Sequence, residues 1–265
     1  MAILIFFIAH WYLSLFCQTF FLHRYAAHGA FQMSRGWEKF FYILTFITQG
    51  SSYMSPRTYA LLHRLHHAYT DTEDDPHSPM FSKNFWHLMN QTRIKYADIF
   101  NGKTVIEEKF TKNLPDWPAF EKIAHPWFVR LIWIAIYVAF YVVFATAWWQ
   151  FLLLPITIMI GPVHGAVINW FAHKYGTTNF EVSNTSKNLF YIDVLMLGEA
   201  YHNNHHKFPS SINFGVKKNE IDPIYFTILF LNKLGVIRLN KVERRTIENE
   251  KATVYLNERR LRKIS

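Results

Sequence analysis

Cysteine is almost absent from this 265-residue sequence, in which Cys17 is the single one. A disulfide framework within the chain and a metal site built from thiolates are therefore excluded. Charge is also absent from one long stretch, because residues 131–173 contain no Asp, Glu, Lys or Arg. A bilayer crossing needs about 20 apolar residues. This stretch therefore predicts two crossings rather than the core of a water-soluble protein.

Acidic residues are scarce beside basic ones, with 19 Asp and Glu against 28 Lys and Arg. Much of the excess lies in residues 233–265, which hold ten basic and four acidic side chains. On a membrane protein, such a tail indicates a cytoplasmic segment near anionic lipid. Nucleic-acid binding is disfavoured, because no recognition motif accompanies the charge.

Histidine, by contrast, is abundant, and nine of the fourteen histidines fall into four groups. The spacing HxxHH occurs twice, at residues 63–67 and 202–206, and His173 stands between the two copies. Positions i, i+3 and i+4 lie within about 100° of arc on a helix, so we expect the three imidazoles of each copy to converge on one point. His23 and His28 are about 140° apart on a regular helix, so both face one site only if the helix ends or bends between them.

These histidines predict a metal centre that holds two ions. Nine imidazoles are too many for one ion with four to six ligands, and imidazole suits iron, zinc and copper. Zinc hydrolases commonly use fewer histidines with one or two carboxylates, and the Glu-x-x-His pairs of soluble di-iron bundles do not occur in these groups. An all-nitrogen site beside an apolar, aromatic-rich body favours oxygen activation for an apolar substrate.

Other chemistry-bearing residues have simpler interpretations. His10 and His164 are interpreted as core residues on apolar faces, and His77, within DPHSP, as a turn residue rather than a ligand. The acidic run 71–75 either orients nearby histidines or forms a solvated loop, and both alternatives stay open. The abundant aromatic side chains could line an apolar tunnel but are more simply core.

The predicted topology has three membrane spans. Residues 2–22 are apolar and lack both the basic start and the cleavage site of a signal peptide, so they predict a transmembrane helix. Residues 131–149 and 151–172 predict a transmembrane hairpin with a turn near 148–150, where two tryptophans suit the membrane interface. A hairpin returns the chain to the side it left, and three spans place the N-terminus outside.

The apolar run 40–56 is interpreted differently. If the histidines on either side of it share a metal site, they must lie on one side of the bilayer, so a single crossing between them is forbidden. We therefore expect 38–54 to be a re-entrant, interfacial or protein-buried helix. Residues 57–130 and 174–265 are expected to be cytoplasmic, with 223–234 too short to span.

Four motifs in this order resemble the membrane-bound fatty acyl desaturases of the stearoyl-CoA Δ9 class. The motifs are HRYAAH (23–28), HRLHHAYTDTEDDPHSP (63–79), NWFAHKYG (169–176) and GEAYHNNHHKFP (198–209). The resemblance extends from about residue 10 to about residue 215. It implies an all-α integral membrane protein, one domain over 1–265, with about three transmembrane helices here against four in the family, capped by a cytoplasmic helical domain that holds a di-iron centre.

The resemblance also implies the site residues. Asn169 would hold one iron through a water, and no side-chain general base is needed. The implied histidine ligands are His23, His28, His63, His66, His67, His173, His202, His205 and His206.

The implied reaction is O2-dependent insertion of a cis double bond, at Δ9, into a saturated acyl chain carried by CoA. No haem-binding HPGG-type segment is present, so electrons would come from a separate ferredoxin-, rubredoxin- or cytochrome b5-like donor with its reductase. The implied location is a bacterial inner membrane. One alternative is a membrane di-iron hydroxylase or alkane-type monooxygenase. A metal transporter is the other, but residues 131–163 offer essentially no polar path.

Overall fold

The structure is a computed structural model that describes residues 1–240, so residues 241–265 of the predicted basic tail lie outside the described residues. Almost all of its regular structure is helical. The helices are α1 (Ala2–Phe16), a π-helical segment (Cys17–Ala27), α2 (Arg35–Gln49), a 3-10 turn (Gly50–Ser52), α3 (Pro56–Tyr69), α4 (Phe85–Phe100), α5 (Glu108–Thr111), α6 (Pro118–Ala124), α7 (Trp127–Phe144), a second 3-10 turn (Trp148–Leu153), α8 (Leu154–Ile158), α9 (Ile160–Ala166), a second π-helical segment (Val167–Phe171), α10 (His202–Lys207) and α11 (Pro223–Lys233). Two strands, β1 (Phe31–Met33) and β2 (Ile237–Leu239), complete the described elements.

Within residues 1–240, two helices are long and apolar enough to cross a membrane. The first joins α1 to the π-helical segment as one helix over Ala2–Ala27, so it continues five residues past the predicted 2–22. The second is α7, which is displaced towards the N-terminus relative to the predicted 131–149. A third crossing is possible if the bent pair Trp148–Ile158 and Ile160–Phe171 counts as one span. The protein is thus an all-α integral membrane protein with two or three candidate spans.

The bend in the third candidate span differs from the regular helix expected over 151–172. Its two halves meet at 74°, and Pro162 explains the break because it has no N–H to donate to the carbonyl of Ile158. That carbonyl accepts hydrogen bonds from the hydroxyls of Ser51 (2.6 Å) and Ser52 (2.9 Å) instead. Side-chain hydroxyls thus satisfy a backbone group that the apolar layer would otherwise leave unpaired.

Helix α2 occupies most of the segment 38–54. Ser34 caps its N-terminus by accepting from the N–H of Trp37, and the helix ends at Gly50, whose φ is +51°. A Cβ at Gly50 would collide with the hydroxyl of Tyr137, so glycine permits both the turn and the close approach of α7. At 15 residues α2 is short for a crossing, and the re-entrant, interfacial or buried placement of 38–54 stays a prediction.

The two-stranded sheet joins the two ends of the described chain. Strand β1 pairs antiparallel with β2, and Phe31 lies opposite Leu239. Beside the sheet, Phe20 and Phe21 of the first π-helical segment pack with Ile228 of α11 in a shared buried core. This core holds the first histidine pair against elements from the far end of the chain.

Candidate metal centre

The nine histidines form two adjacent clusters. Within each cluster, one ring nitrogen per histidine lies within 4.8 Å of all the others. His67 of the first cluster and His206 of the second stack with ring centroids 4.5 Å apart. The five-histidine cluster consists of His23, His28, His63, His67 and His205, and the four-histidine cluster of His66, His173, His202 and His206.

Each HxxHH motif is divided between the two clusters, which corrects the expectation that its three imidazoles converge on one point. Helix α3 gives His63 and His67 to the five-histidine cluster and His66 to the other. Helix α10 does the reverse, with only His205 in the five-histidine cluster. Residues i and i+4 share a helix face, whereas i+3 lies on the other side of that face.

The π-helical segment explains how His23 and His28 reach one cluster. The N–H of His28 donates to the carbonyl of His23 (3.2 Å), an i to i+5 hydrogen bond. This bond widens the helix so that residues five apart lie nearly above one another. The helix ends at Ala27, between the two histidines, as predicted, and its wider last turn brings His28 close to His23.

Ring nitrogens of the five-histidine cluster lie at the spacing expected around one ion. Nε2 of His23 is 2.9 Å from Nε2 of His63 and 3.0 Å from Nε2 of His205. His28 adds a contact of 2.9 Å to His63, and His67 one of 2.8 Å to His205. Nitrogens bound at right angles to one ion at about 2.1 Å are about 3 Å apart. The arrangement fits a metal ion.

The four-histidine cluster has the same spacing. Nε2 of His202 lies 3.0 Å from Nε2 of His173 and 3.0 Å from Nε2 of His206. Nε2 of His66 is buried with no hydrogen-bond partner among the described residues. Such an orphaned nitrogen beside three others is costly unless an ion takes its lone pair.

Burial favours the neutral form of several of these imidazoles, and the neutral form is the one that binds metals. It lowers the pKa of His28, His63 and His205 well below the ordinary value, and the neighbouring histidines lower these pKa values further. The same causes act on His66 and His202. The clusters can therefore bind cations without first losing protons at neutral pH.

A carboxylate from the acidic run orients the four-histidine cluster. Both oxygens of Asp75 lie about 3 Å from Nδ1 of His66, at 2.9 and 3.0 Å. Asp71 lies 3.9 Å from Nδ1 of His173, to which Thr185 adds a hydroxyl contact of 3.1 Å. Of the two alternatives for 71–75, orientation of a histidine therefore applies to Asp75, whereas Asp71 accepts from the N–H of Thr185 at 2.6 Å. A carboxylate on the outer nitrogen fixes the ring and raises its basicity.

A different carboxylate serves the five-histidine cluster. Oε2 of Glu199 lies 2.6 Å from Nδ1 of His23, and its other oxygen lies 2.8 Å from the Arg24 guanidinium. Arg24 is fully buried, also pairs with Asp222 at 2.7 Å, and lies over the ring of Phe214. Burial works to raise the pKa of Glu199, but His23 and Arg24 lower it, so the carboxylate stays charged.

The comparisons with known proteins agree with this geometry. A model of the fatty acid desaturase family matches residues 1–216.

The chain belongs to the fatty acid desaturase family.

Among its relatives are two proteins named sn-1 stearoyl-lipid 9-desaturase. The one from Synechocystis is 30% identical over 240 residues, covering 87% of this chain and 69% of the relative. The one from Anabaena variabilis is 28% identical over 219 residues, covering 81% and 74% respectively. Delta-9 desaturase-like 5 protein from Arabidopsis thaliana is 28% identical over 230 residues, covering 82% and 70%.

Sequence reasoning missed the buried polar residues behind the five-histidine cluster of this desaturase. Sequence reasoning placed Glu199 within the motif GEAYHNNHH and Arg24 at the end of an apolar run, but it gave neither residue a role. A charged residue next to His23, within a helix otherwise suited to lipid, was the available signal. Its partners were not apparent because Asp222 and Glu199 lie far away in the sequence.

The remaining candidates occupy distinct positions. Asn169 lies in the second π-helical segment, half-buried and four residues before His173. His77 is buried beside His66, with ring centroids 4.2 Å apart. In the membrane body, Nε2 of His10 lies 3.2 Å from the carbonyl of Thr157, and His164 is fully buried edge-on to a tryptophan. The core interpretation of His10 and His164 agrees with this burial.

Proposed function

We propose that this desaturase inserts a cis double bond at Δ9 of a saturated acyl chain, using O2 and two irons held by the two clusters. The observation that carries the proposal is the convergence of nine imidazoles on two adjacent points, beside an apolar body. The iron ligands would be His23, His28, His63, His66, His67, His173, His202, His205 and His206, with Asn169 holding one iron through a water.

The two irons would supply the redox chemistry by which O2, two electrons and two protons become two waters while two hydrogens leave the acyl chain. The protein's own residues hold the ligands in place. Asp75 and Glu199 each accept from the outer nitrogen of a histidine and so fix its orientation. Burial of the clusters excludes bulk water, which protects a reactive oxidant from side reactions.

The acyl carrier distinguishes two versions of the proposal. Sequence resemblance favours acyl-CoA, whereas two relatives are named for stearoyl-lipid. We propose a membrane lipid as the carrier, because these relatives match more than two thirds of their own length. Electrons would come from a separate ferredoxin-, rubredoxin- or cytochrome b5-like donor with its reductase, and the clusters would face the cytoplasm of a bacterial inner membrane.

Expression in a host that lacks its own desaturase tests the proposal. Fatty acid methyl esters should gain a cis double bond at carbon 9, and lipid extracts labelled with a short stearate pulse should show it first in glycerolipids. A first appearance in acyl-CoA would identify CoA as the carrier. A product heavier by one oxygen would indicate a hydroxylase, and unchanged fatty acids with an intact electron-donor chain would contradict the proposal.

A further inference from the structure

A ten-residue excursion precedes the second HxxHH motif and has an unusual surface. The chain leaves at Leu189 and returns at Ala200, where the N–H of Leu189 donates to the carbonyl of Ala200 at 2.9 Å. The 189–200 loop is therefore a compact loop with adjoining ends. Its tip exposes large apolar side chains, each between 49% and 76% accessible. These side chains are Tyr191, Ile192, Val194 and Leu195.

Several polar groups inside the loop pair with one another. The buried carboxylate of Asp193 accepts from the N–H groups of Met196 (2.7 Å), Gly198 (2.9 Å) and Ala200 (2.9 Å). The N–H of Asp193 donates to the hydroxyl of Tyr201 at 3.0 Å. With the carboxylate paired inside and apolar side chains outside, the loop presents a surface that can contact lipid without exposing a charge.

A hydrogen bond gives the depth of this loop. Nε1 of Trp11 donates to the carbonyl of Leu195 at 3.1 Å. Trp11 lies nine residues after Ala2 and twelve before His23 on the first candidate span, which is about 14 Å and about 18 Å along the helix axis. The tip of the loop thus lies against the middle of a membrane-crossing helix.

The other end of the apolar surface is basic. Nδ2 of Asn219 donates to the carbonyl of Tyr191 at 3.4 Å, next to the exposed side chains of Lys217 and Lys218. A tyrosine beside lysines suits the headgroup level, with aliphatic residues deeper. The order from Lys218 through Tyr191 to Leu195 follows the polarity gradient of a bilayer leaflet.

The base of the loop leads directly to the two clusters. Glu199, which orients His23, and His202, a member of the four-histidine cluster, follow its tip within eight residues. Between tip and clusters, Met196 packs with Leu15 and Ile168 in an apolar group. A lipid chain lying against the tip would therefore meet apolar contacts towards the metal centre.

We propose that the 189–200 loop is embedded in the bilayer beside α1 and forms the membrane-side wall along which the acyl chain of a lipid reaches the metal centre. The route for the chain rests on the proposed desaturase function, whereas the embedding does not. This proposal moves the 189–200 loop from the cytoplasm, where residues 174–265 were expected, into the bilayer, and it leaves the expectation for the rest of that range unchanged.

Lipid-depth quenching tests the embedding. In a Cys17→Ala background, Val194→Cys and Leu195→Cys would be labelled with a fluorophore and reconstituted into vesicles of phosphatidylcholine with brominated acyl chains. Both labels should be quenched by the brominated chains like a label at Leu13→Cys, which is an exposed position on α1. A label at the exposed Val105→Cys serves as the matched control and should be quenched by aqueous iodide instead.

Iodide quenching at 194 and 195 as strong as at 105 would overturn the embedding. Shielding from both quenchers would indicate a protein partner and would overturn it as well.

Turnover tests the route for the acyl chain. Val194→Asp should slow desaturation of stearoyl phosphatidylcholine in vesicles by about tenfold, because a carboxylate at this depth disfavours lipid contact. In detergent micelles, Val194→Asp should turn over the same lipid nearly as fast as the unchanged protein does. Val105→Asp should alter neither the rate in vesicles nor the rate in micelles. Equal losses in vesicles and micelles would overturn the route. Absence of lipid desaturation by the unchanged protein would contradict the proposed function and leave the quenching result standing.

Discussion

The two histidine clusters are built from the same two helices but are supported differently. The five-histidine cluster adds a pair from a membrane-spanning π-helical segment, and its supporting carboxylate, Glu199, is tied to the buried Arg24. The four-histidine cluster adds only His173, and its carboxylates come from the loop after α3. One cluster thus rests on the membrane body and the other on a peripheral loop.

The two copies of the motif thus contribute to two clusters that differ in their number of imidazoles. In the five-histidine cluster, loss of one imidazole still leaves four, the number with which the other cluster begins. In the four-histidine cluster, every imidazole is needed, and fine positioning falls to Asp75. We therefore expect the two clusters to respond unequally to equivalent substitutions.

The largest expected effect is that of His66→Ala. With three imidazoles left, the four-histidine cluster should lose its ion, and turnover should fall by more than about 100-fold, beyond the usual cost of losing an outer partner. His28→Ala is the matched variant and should retain two ions with a loss of about tenfold. Metal content per chain and turnover provide the measurements, with membrane insertion as the control for folding. Equal metal loss in both variants would remove the distinction between the clusters.

Glu199→Gln and Asp75→Asn test the supporting carboxylates, and each should reduce metal affinity by about 10–100-fold. Glu199→Gln should also lower the melting temperature markedly, because it leaves buried Arg24 with Asp222 as its one charged partner among residues 1–240. Asp75→Asn should lower the melting temperature less. Thermal unfolding of the metal-free proteins separates these effects. A larger loss for Asp75→Asn would show that the peripheral loop, not the membrane body, carries the fold.

The smallest expected effect is on the stability of the metal-free protein at acidic pH. Burial lowers the pKa of His66 and His173, and Asp71 and Asp75 oppose this lowering at His173. In the absence of metal, the histidines of the unfolded chain bind protons below about pH 6.5, whereas the buried histidines of the folded protein do not. The free energy of unfolding therefore falls, as the pH falls, by up to about 1.4 kcal/mol per pH unit for each histidine that stays neutral. This stability is present above pH 6.5 and is lost as the pH falls.

Asp71→Asn should remove part of the opposition at His173 and make the metal-free protein more sensitive to acid. The check is the change in melting temperature between pH 7.0 and 5.5, for the variant and the unchanged protein. A variant that is less sensitive than the unchanged protein would contradict the role given to Asp71.

Much of the candidate site could be predicted from the sequence, because histidine spacing is a local property. The division of residues 63–67 and 202–206 between two clusters could not, since it depends on how α3 and α10 face each other. The π-helical turn between His23 and His28 was also not predicted, because it requires a backbone hydrogen bond that no residue type indicates.

The fold shows the same limit. Apolar runs predicted the crossings, but the carbonyl that the 74° break leaves free finds its partners in Ser51 and Ser52, more than 100 residues earlier. Similarly, residues 189–197 are interrupted by Asp193, and their apolar runs are too short to indicate membrane contact. Their depth follows from one contact with Trp11.

The pairing of Phe31 with Leu239 has a consequence for the order of assembly. His23 must wait for His205, 182 residues later, before its cluster can close, and contacts of such sequence separation form late. A nascent chain of only the first 200 residues therefore has neither cluster complete. Metal binding would therefore require synthesis through His206, and a chain truncated before it would remain without redox activity.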